Sequence, residues 1–185
     1  MGKKRNSGTF EIALSGITCA VASGALALGI LSGYLTATGY LISVVALMVP
    51  LSKQFYKGGF FAYLGTCILA VVLGACVQFW DLVPFAIFFG LHPLVNALQL
   101  KYNINKWLSF AVKALWFDGM LIVAYFLVFG GILGGSVMPE EFYNVLNDYI
   151  YLFIFTLGTA FFFVYDHFIF KMQKLVNYTV QRIIK

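Results

Sequence analysis

The sequence predicts an all-α, polytopic membrane protein, a bundle of six transmembrane helices. Three observations carry this. Of the 185 residues 62% are hydrophobic and only 10% charged, and the mean hydropathy is +0.91, more apolar surface than a water-soluble domain can use. The apolar residues gather into six unbroken runs rather than alternating every second position, which favours helices over barrel strands. Finally, the basic residues fall on one side of the six-span thread.

The runs are Phe10–Leu31, Tyr34–Leu51, Gly58–Gln78, Leu82–Leu100, Leu108–Gly130 and Asn147–Phe168. Each has the length a span requires, roughly 17–25 residues. The second is apolar throughout only from Leu41, so a short or re-entrant helix is the alternative there. With six spans, Lys3, Lys4, Arg5, Lys53, Lys57, Lys101, Lys106, Lys113, Lys171, Lys174, Arg182 and Lys185 all fall at the N-terminus, the 2–3 and 4–5 connections or the C-terminal tail. Asp81, Glu140, Glu141 and Asp148 fall on the opposite side. By the positive-inside rule, both termini are expected in the cytoplasm and the chain in the plasma membrane. The net charge of +5 is accounted for by this topology and is no nucleic-acid signal. Cys19, Cys67 and Cys76 sit in apolar runs without metal or disulfide spacing.

In the first run, Gly16, Ala20 and Gly24 form a row of small residues spaced by four, with Ser15, Cys19, Ser23 and Ala27 beside it. Such a row lets another helix approach closely, either within the bundle or from a separate membrane partner. Glu11 lies at the entry of this helix, where an interfacial role is expected. Ser32–Gly39 is expected as the first external loop, a connector or a gate over the outer mouth, or as the frayed start of helix 2. Pro50 and Lys53 close the second helix. Gln78 and Trp80 mark an outer interface at the end of the third.

The fourth run, LVPFAIFFGLHPLVNALQLK, carries His92, Asn96 and Gln99 at i, i+4 and i+7, one face of a helix. The expectation is a polar stripe turned into the bundle, either lining a ligand or proton site or bonding neighbouring helices. Pro93 should kink this span and free a carbonyl. The fifth run places Lys113 one turn in, where it can snorkel, and Asp118 deeper. A bare carboxylate at that depth must be protonated, paired or facing water. A partner from another helix is expected, with His92 and Lys113 the candidates.

Pro139-Glu140-Glu141 has the chemistry of a helix start and predicts an outer interfacial helix running into the sixth span. Asp166-His167 point to different faces and make no metal pair. The tail, residues 171–185, reads as an amphipathic helix with Met172, Leu175, Val176, Thr179 and Ile183 opposite its cations. No nucleotide-binding, hydrolase, metal or cofactor motif occurs, and the expectation is a protein that is not an enzyme.

The stretch FFGLHPLVNALQLKYNINKWLSFAVKALWFDGMLIVAYFLVFG resembles a segment of small six-helix membrane proteins of clostridia and related Firmicutes. These in turn resemble the substrate-binding (S) components of energy-coupling factor (ECF) transporters. The resemblance implies a subunit that binds a vitamin or similar micronutrient within the bundle, while the candidate ligand-binding residues, His92, Asn96, Gln99 and Asp118, are read from their own spacing and depth. It implies docking through Gly16, Ala20 and Gly24 onto a separate transmembrane coupling subunit with ATPases. Glycine stands at two of these three positions where that group has alanine. Two other functions suit the residues: a non-transporting scaffold in envelope or cell-shape assembly, and an ion- or proton-coupled small carrier using Asp118 and His92.

Overall fold

The computed structural model describes residues 5–129 and 149–183. Among them every regular element is helical. In order they are α1 (Arg5–Ser32), α2 (Thr36–Ser52), α3 (Tyr56–Val72), a 3₁₀ turn (Ala75–Gln78), α4 (Phe79–Pro84), a π-helical turn (Phe85–Phe89), α5 (His92–Tyr102), α6 (Lys106–Phe129), a second π-helical turn (Ile154–Gly158) and α7 (Thr159–Ile183). Four helical stretches are long and apolar enough to cross a membrane: Gly8–Ser32, Phe79–Tyr102, Lys106–Tyr125 and Tyr149–Ile183. Two are shorter, Thr36–Ser52 and Tyr56–Val72. At 17 residues each, these span about 25 Å, a little under the ~30 Å hydrocarbon core. Large apolar side chains cover the outside as well as the inside: Leu28, Val72 and Phe163 are 72%, 74% and 57% exposed. That distribution suits a lipid environment.

The chain forms two compact units, Met1–Asn103 with Ile169–Lys185, and Ile104–Phe168. In the first, α1 packs on α2 and α3, and α2 packs on α5. Its core holds Leu26, Ile30, Val44, Leu47, Met48, Phe85 and Phe88, all nearly solvent-free. The α1–α2 crossing rests on Gly29 and Gly39. A Cβ at Gly39 would stand 2.8 Å from the Ala25 carbonyl oxygen and 2.9 Å from the Gly29 Cα, so two backbones touch where no side chain intervenes. Ser43 fastens the same crossing: its single hydroxyl proton is shared between the Ala22 carbonyl of α1 (2.8 Å) and the Gly39 carbonyl of its own helix (2.7 Å).

Several boundaries differ from those expected. Of the two readings of Ser32–Gly39, the start of the second helix holds for Thr36–Gly39, since the chain turns within residues 33–35 and Gly39 is a helix-crossing residue inside α2. The third helix stops at Val72 and not Gln78. Gly74 adopts φ +112°, a left-handed conformation that glycine alone takes without strain, and it starts the short 3₁₀ turn. The next helix accordingly begins at Phe79, ahead of Leu82. Asn103, at φ 50°, closes α5 in the left-handed cap geometry, its N–H donating to the Gln99 carbonyl.

The tail is not a separate element, since α7 continues without a break to Ile183. Its phase is inherited from the preceding turns, where Phe162, Tyr165 and Ile169 are buried. The buried line therefore continues through Gln173 and Val180, while Leu175 and Ile183 of the expected apolar row are exposed. The expected helix start at Pro139-Glu140-Glu141 lies outside the described residues, as do the ends of the fifth and sixth runs near Gly130 and Asn147.

Glu11 takes a structural role. Its Oε1 accepts from the Gly58 backbone N–H at 3.1 Å, satisfying one of the open donors in the first turn of α3 and placing negative charge at that helix's positive end. Glu11→Ala is expected to lower stability by about 1 kcal/mol, read as a reduced midpoint of thermal unfolding in detergent.

Candidate functional site

The polar stripe lies in the first unit, and a change of backbone register positions it. Pro93 cannot donate a hydrogen bond, and the chain upstream bonds differently: the Gly90 N–H reaches back to the Phe85 carbonyl and Leu91 to Phe88. Pro93 thus sits at the start of α5, where a missing N–H costs little. The span is a short helix, a π-helical turn and a new helix, not one helix with a mid-span kink. Such π-helical turns recur at functional sites.

From this start α5 projects its polar face inward. His92 and Asn96 are fully buried and Gln99 is 6% exposed. Asn96 Nδ2 and His92 Nδ1 are 3.5 Å apart, and the Phe88 ring lies against the imidazole, centroids 5.3 Å apart. Aromatic residues surround the turn above: Tyr40 packs on Phe85 and Phe89 and donates to the Asp81 carbonyl, and Tyr63 donates to the Ala86 carbonyl. Tyrosine hydroxyls from α2 and α3 thereby hold the backbone of the irregular span. They were legible in the sequence only as aromatic core.

Asp118 belongs to the second unit. It is 3% exposed. Thr159 Oγ1 donates to its Oδ2 at 3.0 Å, and its Oδ1, buried as well, has no hydrogen-bond partner among the described residues. Lys113 does not snorkel. It is 2% exposed and bonds Asp166, Nζ to Oδ1 at 2.5 Å. The partner of Asp118 is therefore a threonine on the facing helix, and Lys113 is held elsewhere. The reason is register: α6 and α7 run antiparallel in this unit, so Asp118 meets the beginning of α7 and Lys113, five residues earlier, meets Asp166, seven residues later. The signal was present in the sequence, because Thr159 and Asp166 share one helical face. Phe162 fills the space between them, stacked on Phe117 and packed on Phe110 with centroids 5.4 Å away in each case.

The small-residue row lies on the outside of α1. Gly16 and Ala20 are exposed and Gly24 half-buried. A Cβ built on Gly16 or Gly24 meets nothing within 4 Å, in contrast to the crowded Gly29. Beside Gly16 a groove of about 480 Å³ runs between α1 and α3, lined by Glu11, Ser15, Cys19, Lys57 and Phe61 among others. The Ser15 hydroxyl is buried there with no hydrogen-bond partner among the described residues. Cys19 and Cys67 are free thiols. Among the described residues, no three of His, Cys, Asp and Glu gather to hold a metal ion.

No protein-family model, curated protein or solved structure matches the chain. Its function must be argued from its own residues.

Proposed function

We propose that the protein is an integral plasma-membrane subunit that binds a small-molecule substrate and docks on a separate transmembrane coupling subunit with ATPases, in the manner of an ECF-type S component. In this reading all six apolar helices span, the two 17-residue helices with local thinning of the bilayer, and both termini are cytoplasmic. The observation that carries the reading is the outward row Gly16, Ala20 and Gly24, with open space above both glycines. Within one bundle such a row would be covered by a neighbouring helix. Left uncovered by the described residues of its own unit, it offers a backbone surface on which a second membrane helix packs by close approach. The buried His92 and Asn96 beside an aromatic, π-helical turn supply the few convergent polar groups that a pocket for a small ligand uses.

The test is affinity purification from membranes. The wild-type chain is expected to bring down a membrane subunit together with ATPases. Leucine at positions 16, 20 and 24 together is expected to abolish that recovery and leave the unfolding midpoint of the isolated protein unchanged. Recovery of the same complex by the triple variant, or of no ATPase by the wild type, rejects the reading. The scaffold alternative expects envelope-assembly proteins in place of ATPases.

A further inference from the structure

We propose that Asp118, Thr159 and the adjoining π-helical turn Ile154–Gly158 form a binding site for a monovalent cation, Na⁺. The carboxylate is almost completely buried, and a buried charge needs a counter-charge or a dense set of hydrogen bonds. Among the described residues it has neither. Thr159 donates one hydrogen bond to Oδ2, Oδ1 receives none there, and the nearer of the two cations in α6, Lys113, is bound to Asp166. One buried carboxyl oxygen with no hydrogen bond among the described residues is therefore left facing the second π-helical turn.

The chemistry of the surroundings is oxygen chemistry. The two carboxylate oxygens and the Thr159 hydroxyl are hard donors, which suit Na⁺ and not a transition metal. Gly158, the last residue of the turn, brings backbone close to them: a Cβ there would stand 3.3 Å from Asp118 Oδ1 and 2.9 Å from Leu121 Cδ1. Irregular backbone inside a membrane protein is where carbonyl oxygens become available to Na⁺, and π-helical turns are a recurrent form of it. Carbonyl oxygens of residues 154–158 are the natural remaining ligands. Thr159 thus has two tasks, orienting Oδ2 and offering its own oxygen. The inference is independent of any docking partner on α1.

The experiment measures thermal unfolding of the purified full chain in detergent, titrating NaCl against choline chloride at constant ionic strength, with KCl and LiCl as parallel arms. Saturating Na⁺ is expected to raise the midpoint by roughly 5–10 °C over choline, and ²²Na⁺ is expected to bind once per chain. Asp118→Asn should lose both responses. Thr159→Val should weaken Na⁺ about tenfold or more, and Thr159→Ser, which keeps the hydroxyl, should restore it. If Asp118→Asn does not fold, the contrast between valine and serine at position 159 decides alone. A wild-type midpoint equal in Na⁺ and choline overturns the proposal, as does a Na⁺ response that survives in Asp118→Asn or is the same with valine and serine at position 159. A shift of equal size in K⁺ would assign the site to monovalent cations without preference for Na⁺ and overturn the choice of ion.

Discussion

Lys113→Met is expected to destabilise the protein by roughly 3–5 kcal/mol, the usual consequence of removing one member of a buried ion pair. Lys113 is 2% exposed and Asp166 15% exposed in their side chains, with 2.5 Å between Nζ and Oδ1. Removing the ammonium takes the Lys113 counter-charge away from the mostly buried Asp166 carboxylate. The measurement is the shift in unfolding free energy in mixed micelles. A second variant separates the value of the pair from the penalty of an orphan. In Lys113→Met/Asp166→Leu both charges are gone, the apolar surroundings accept both side chains, and most of the lost stability is expected to return. If the single and double variants are equally unstable, the loss comes from packing of the lysine stem and not from charge.

Gly39→Ala is expected to cost roughly 1–3 kcal/mol, the range for overpacking a tight contact. One added carbon would meet two backbone atoms within 3 Å, and backbone cannot rotate aside as a side chain can. The α1–α2 crossing would have to separate, weakening the Ser43 hydrogen bond to the Ala22 carbonyl. Gly24→Ala serves as the control, since the same carbon there meets nothing. Equal unfolding midpoints for the two variants would show that the crossing is looser than these distances require.

The apolar helices were legible in the sequence because burial in lipid demands runs of one chemistry, and every expected run has a helical counterpart among the described residues. The breaks inside the runs were less legible. Gly74 reads like any packing glycine in a hydrophobic stretch, and only its left-handed φ ends α3. The two π-helical turns leave hydropathy unchanged, because they alter which carbonyl each N–H meets and not which side chains are present. His92, Asn96 and Gln99 were found by their spacing, and the structure buries all three. The partner of Asp118 was missed for a different reason. Opposite charge on the same or a distant helix is the obvious partner for a carboxylate, and a hydroxyl on the facing helix is not, while Asp166, weighed only beside His167 as a metal pair, is the counter-ion of Lys113.

One feature of α7 bears on how the protein can move. Between Thr159 and Ile183 there is no proline or glycine, and the helix is continuous over those 25 residues, about 37 Å. The usual sites of bending are absent. A rotation imposed near Thr159, where α7 meets Asp118, therefore finds no proline or glycine hinge to absorb it in the turns that follow.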